Sequence, residues 1–116
     1  MQWVRLDTAF PRNHKVLALL ELKDGHRAIT AYICGLSYAG EQNVDGFIPR
    51  AALPFLHARV ADARRLVEVG LWLDDEGGWV INGWSDFQPT TDESTARSNK
   101  ARIAARARWG KREETA

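Results

Sequence analysis

The stretch "EVGLWLDDEGGWVINGW" (residues 68–84) decides how this chain is read. Two apolar runs, each carrying tryptophan, flank an acidic connector that ends in glycine. "LWL" (residues 71–73) and "GWVINGW" (residues 78–84), joined by "DDEGG", have the composition of a β-hairpin with a glycine-containing turn. Trp79 and Ile81 alternate with Val80 and Asn82, the period-2 pattern of a strand.

Upstream of the hairpin, the pattern becomes helical. From Arg59 onward, Val60, Ala63, Leu66, Val67, Gly70 and Leu71 fall in one sector of a helical wheel. Gly70 marks the end of this helix, although no good N-cap marks its start. Opposite the apolar sector the wheel places Ala61, Arg65 and Val69, flanked by Asp62 and Glu68, with Arg64 near the edge of the core face.

Three further helices, a very short strand and an extended entry segment precede it. Asn13 is a fitting N-cap for a first helix, "HKVLALLEL", with Val16, Leu17 and Leu20 on one face. "KDGH" is a turn signal. The second helix is expected over residues 27–39, with Ile29, Tyr32, Ile33 and Leu36 at i, i+3, i+4 and i+7 and Gly40 at C′. "NVDGFIP" reads as a loop and a very short strand. "RAALPFLH" is a helix that Pro54 keeps short or bent. Trp3, Val4 and Leu6 suggest an extended entry segment that Phe10-Pro11 breaks.

Helices followed by a helix that runs straight into a hairpin is the order of a winged helix-turn-helix. In that fold the hairpin is the wing and the preceding helix is the recognition helix. The expected class is therefore α+β: a helical bundle with a short strand and a C-terminal β-hairpin wing over residues 1–88, then a basic arm, helical or partly disordered when free, over residues 89–116.

Charge supports this division. The 116-residue chain has a formal net charge of +1, but residues 1–90 hold 9 Lys/Arg against 11 Asp/Glu, and residues 91–116 hold 7 against 4. From Thr95 to Arg112 there are seven positive charges and no negative one. The arm opens with Pro89 and a T-x-x-E capping box from Thr90 to Glu93. Its alanines favour helix. Ile103 and Trp109 are its only large apolar residues, and like charges one turn apart repel. A polyanion would cancel that repulsion, and each neutralised phosphate adds salt-dependent affinity.

Chemistry-bearing constellations are few. One cysteine, Cys34, allows no internal disulfide and reads as a small packing residue. His14, His26 and His57 lack metal-ligand spacing. Asp74, Asp75 and Glu76 read as a solvated hairpin tip. P-loop, dinucleotide-binding and nucleophile-elbow motifs are missing. The expectation is a protein that is not an enzyme and uses no cofactor. No apolar run reaches membrane-span length, and the first residues lack a signal-peptide pattern, so a cytoplasmic location is expected.

The expected DNA-binding residues are Arg65 at base edges, since arginine pairs bidentately with guanine, with Arg50, His57, Arg59 and Arg64 positioning the helix. Arg97, Lys100, Arg102, Arg106, Arg108, Lys111 and Arg112 would contact phosphates. The acidic tip argues that the wing itself does not lie along a DNA backbone.

"WVRLDTAFPRNHKVLALL", "VDGFIPRAALPF", "ARRLVEVGLW", "GWVINGWSDFQP" and "ARIAARARWGK" together resemble small phage and prophage proteins of actinobacteria. They are also similar to the N-terminal winged-helix domain of phage replisome organisers. The resemblance spans nearly the whole chain. It implies DNA binding in phage replication or transcription regulation, inside a host cell. Replisome organisers continue into a second, helicase-engaging domain, and this sequence stops at Ala116. Double-stranded DNA is the expected partner, with a host or phage replication or transcription protein and a second copy of the chain as further candidates. The competing expectation is a protein-interaction adaptor or inhibitor of a host factor, favoured by the acidic wing.

Overall fold

The computed structural model describes residues 2–88, and the expected basic arm lies outside the described residues. A 3₁₀ turn (Phe10–Arg12) leads into α1 (His14–Leu20) and α2 (Gly25–Gln42). Next come β1 (Phe47–Pro49), a 3₁₀ helix (Arg50–Leu56), α3 (Val60–Val69), β2 (Trp72–Asp75), β3 (Gly78–Ile81) and a single turn α4 (Trp84–Phe87). The architecture is α+β with a three-stranded antiparallel sheet in the order β1-β3-β2. It is compatible with the winged helix expected from sequence. No helix among the described residues is long and apolar enough to cross a membrane.

Local chemistry explains most boundaries. Asn13 caps α1 as expected, its Oδ1 accepting from the Lys15 N–H at 2.8 Å. Pro54 confines its element to a 3₁₀ helix. Gly70 ends α3 at φ 87°, a left-handed conformation that L side chains resist. In the hairpin, Asp74 and Asp75 belong to β2 and Gly78 opens β3, so the turn shortens to Glu76-Gly77 with Gly77 at φ 82°.

Four expectations need correction. In α1, Leu19 is buried with Val16, while Leu17 and Leu20 are exposed. Helix α2 runs past Gly40, which is buried within it, and ends where Asn43 takes the left-handed conformation at φ 53°. Its buried stripe is built largely from small residues: Ala28, Ala31, Gly35, Ala39 and Gly40 beside Tyr32 and Leu36, with Ile33 left exposed. The close packing explains why: a Cβ at Gly35 would press to 3.0 Å from both Ile48 Cδ1 and Trp72 Cζ2. Finally, Trp84 is not strand but begins α4, after Gly83 turns the chain at φ 78°.

The core sits between the sheet's inner face and the helices. Trp72 and Ile81 are cross-strand partners, as are Ile48 and Trp79, and all four are buried. Trp72 and Trp79 lie 5.8 Å apart, centroid to centroid, tilted at 35°. Burying such aromatic area dominates the stability of a domain this small. Two polar side chains fasten the ends. Asn82 Nδ2 donates to the Gly70 carbonyl at 2.8 Å, tying the hairpin's exit to the end of α3. Buried Gln88 accepts from the Arg5 N–H at 2.9 Å and donates to the Arg5 carbonyl at 2.6 Å, joining the two ends of the described chain.

Candidate functional site

The site expected from sequence centres on α3 and the turn before it. His57 takes the left-handed conformation at φ 56° as the 3₁₀ helix ends, and its N–H donates to the Pro54 carbonyl at 3.2 Å. The Ala58 N–H donates back to the Leu53 carbonyl at 3.1 Å, which tightens the corner between the two helices. Arg59 follows in extended conformation at φ −117° and precedes the first residue of α3. His57 and Arg59 are both exposed.

The N-cap that local sequence did not reveal is supplied from within the helix. Asp62 Oδ2 accepts from the Arg59 N–H at 2.9 Å. A carboxylate at this position satisfies one free donor and suits the positive end of the helix dipole. Asp62 is only 2% exposed, so it does not flank a solvated face as the wheel suggested.

Its burial is matched by charge. Arg27 Nη2 lies 3.6 Å from Asp62 Oδ2, and Arg65 Nη1 lies 3.8 Å from Asp62 Oδ1. Arg65 Nη2 also lies 3.7 Å from Asp24 Oδ2. The four residues link the start of α2 to one side of α3. A buried carboxylate is tolerated when it is paired and hydrogen-bonded.

This arrangement rotates α3 relative to the wheel. Its exposed residues are Ala61, Arg64 and Glu68, whereas Arg65 and Val69 are half-buried. Arg64, placed by the wheel near the core edge, points to solvent. Arg65, placed opposite the core, leans against Asp62 and Asp24. Arg59 and Arg64 thus stand free of the ion-pair cluster, and Arg65 belongs to it.

Arg50 lies elsewhere. Its guanidinium sits 5.2 Å above the Trp79 ring, and its N–H donates to the Gly77 carbonyl at 2.9 Å. Arg50 therefore packs beside the hairpin turn, on the ring face that attracts cations. Asp74, Asp75 and Glu76 are exposed there. Arg97, Lys100, Arg102, Arg106, Arg108, Lys111 and Arg112 lie outside the described residues.

Sequence reading missed Asp24, Arg27 and Asp62 as members of the site. Asp62, three residues after Arg59, had a local signal in its N3 position. The Asp24 and Arg27 contributions depend on α2 packing against α3 and have no local signal.

A second surface feature lies on the outer side of α2. A cavity of about 550 Å³ is lined by Cys34, Ser37, Tyr38, Glu41, Gln42 and Phe55. Phe55 is 73% exposed and stacks on Tyr38 at 6.5 Å. Trp3, 82% exposed, lines a second hollow together with Ser37 and Glu41. Among the described residues no group of three or more His, Cys, Asp or Glu is placed to hold a metal ion. Compared with protein-family models, curated proteins and solved structures, the chain finds no match.

Proposed function

We propose that this chain is a non-enzymatic DNA-binding protein of winged-helix type, in which α3 enters the major groove and the basic segment after Gln88 neutralises phosphates. On this reading α2, β1, the 3₁₀ helix, α3 and the β2–β3 hairpin are the successive parts of the fold, and Glu76-Gly77 is the tip of the wing. The sheet order β1-β3-β2 is compatible with such a fold. The observation that carries the reading is α3 running directly into the hairpin with Arg59 and Arg64 on its solvent side. The charge split adds to it, since residues 95–112 carry seven cations with no carboxylate among them.

On the resemblance to phage and prophage proteins, we further propose that such binding serves replication or transcription regulation within a host cell. Fluorescence anisotropy with duplex DNA across a salt series tests the proposal. Binding that weakens steeply as salt rises is expected. Removing residues 95–116 is expected to weaken binding and flatten the salt dependence. A full-length chain that leaves duplex DNA unbound at low ionic strength overturns the reading.

One observation favours a second reading, a protein-interaction adaptor. Asp74, Asp75 and Glu76 are exposed together at the hairpin tip and repel phosphate. They suit a protein partner with a basic surface. Capture of such a partner from nuclease-treated host lysate, lost on charge neutralisation of the tip, supports this alternative.

A further inference from the structure

The ion pairs around Arg65 differ in a way that matters for a polyanion. Asp62 is buried and has three sources of compensation: the Arg59 N–H, Arg27 and Arg65. Its charge is built into the α2–α3 junction. Asp24 stands at the edge of that junction with its side chain 47% exposed, in the left-handed conformation just before α2. Its contact with Arg65 spans 3.7 Å, and an exposed pair of that length contributes little to stability. The Arg65 side chain is 22% exposed, so it is held largely inside yet keeps some access to solvent.

We propose that Asp24 occupies the place of a DNA phosphate on Arg65 in the free protein and gives it up on binding. The proposal rests on the DNA-binding reading above and assigns a role within it. Asp62 keeps the guanidinium oriented, and Asp24 is the exchangeable partner. Arginine suits the exchange because its planar fork presents donors to a carboxylate or a phosphate in the same geometry. Arg64, free of the cluster, then reaches the bases, while Arg65 becomes a phosphate contact beside it. Asp24 is thus a competitor for Arg65 that lowers affinity for nonspecific DNA, since the phosphate gained by Arg65 costs the protein an ion pair.

Counterion bookkeeping makes this testable. A phosphate neutralised by a free cation releases counterions, steepening log K against log salt by about 0.9 per contact. When Arg65 trades a carboxylate for a phosphate, Asp24 is left solvated and gathers a cation of its own. The two effects nearly cancel, so in the wild-type protein Arg65 adds little to the slope. In Asp24→Asn the cancellation is gone. That variant is expected to bind a mixed-sequence duplex roughly two- to five-fold more tightly at low salt, the equivalent of losing one exposed ion pair, with a slope steeper by about one.

The experiment measures anisotropy of the full chain with that duplex over a salt series, for wild type, Asp24→Asn, Arg65→Ala and the double variant. Thermal melting of each verifies folding. The double variant is expected to show the slope of Arg65→Ala alone, which separates the exchange from a general loss of negative charge near DNA. A slope unchanged in Asp24→Asn overturns the proposal, and so does a gain that persists without Arg65. If wild type binds and the slopes run parallel, only the exchange is lost. If wild type binds no duplex, the DNA reading falls and this proposal with it.

Discussion

Helix α3 and the hairpin that follows it carry charge in opposite ways. The hairpin buries Trp72, Trp79 and Ile81 on one face and leaves Asp74, Asp75 and Glu76 in solvent. Helix α3 buries a carboxylate, Asp62, and leaves Arg59 and Arg64 in solvent. The difference separates charge that joins elements from charge left to solvent. A buried carboxylate needs partners and is part of how two helices join. An exposed charge contributes little to stability and is available to a ligand.

The largest effect expected from breaking this comparison is in the hairpin's core. Trp72→Ala removes a fully buried side chain packed on Trp79 and against Gly35. A loss of about 3–5 kcal/mol is expected, enough to unfold a marginal domain. Urea titration followed by circular dichroism checks it, and a midpoint close to wild type would show that the tryptophan pair does not anchor the sheet.

Next comes the carboxylate of α3. Asp62→Ala removes the cap on the Arg59 N–H and the shared partner of Arg27 and Arg65. Both arginines retain access to solvent, so the cost is discounted to about 1–2 kcal/mol. Neutralising Asp74, Asp75 and Glu76 together is expected to shift stability by less than about 0.5 kcal/mol. Equal effects in the two regions, read by the same denaturation, would erase the distinction between buried and exposed charge.

Binding should rank the regions the other way. Arg64→Ala is expected to weaken duplex binding by about 1 kcal/mol or more, roughly five-fold, while leaving melting unchanged. The neutralised wing is expected to change it less. A wing effect larger than that of Arg64→Ala would shift the interface toward the hairpin.

The smallest expected effect concerns pH. Burial raises the Tyr32 hydroxyl above its ordinary value of 10.0. A pKa raised in the folded state means that the unfolded chain ionises first. Stability is fully present below about pH 10 and falls as pH rises through the folded-state value. Tyr32→Phe keeps the ring that stacks on Phe10 at 5.4 Å and removes the ionisation. Alkaline melting curves that decline equally for both proteins would refute the assignment to Tyr32.

Much of the element order was legible because it rests on local chemistry. Asn13 capping α1, Pro54 limiting its helix, Gly70 ending α3 and Gly77 in the hairpin turn each act through their own backbone. For the candidate site only placement can be compared. Arg59 and Arg64 are exposed, whereas Arg65 is engaged in ion pairs that a wheel does not display. The wheel treated Asp62 as polar and therefore outward. Its burial follows from partners that arrive from α2.

By itself, then, the order of residues determined the type and sequence of elements, the punctuation between them and the division of charge along the chain. These are local or one-dimensional properties, carried by backbone preferences and side-chain periodicity. Only the tertiary structure decided which face of each helix is buried, how far α2 extends past Gly40, and which arginines enter the ion-pair cluster around Asp62. Those outcomes depend on close approach, such as Gly35 against Trp72 and Ile48, and on charges brought together from distant positions, such as Asp24 and Arg65.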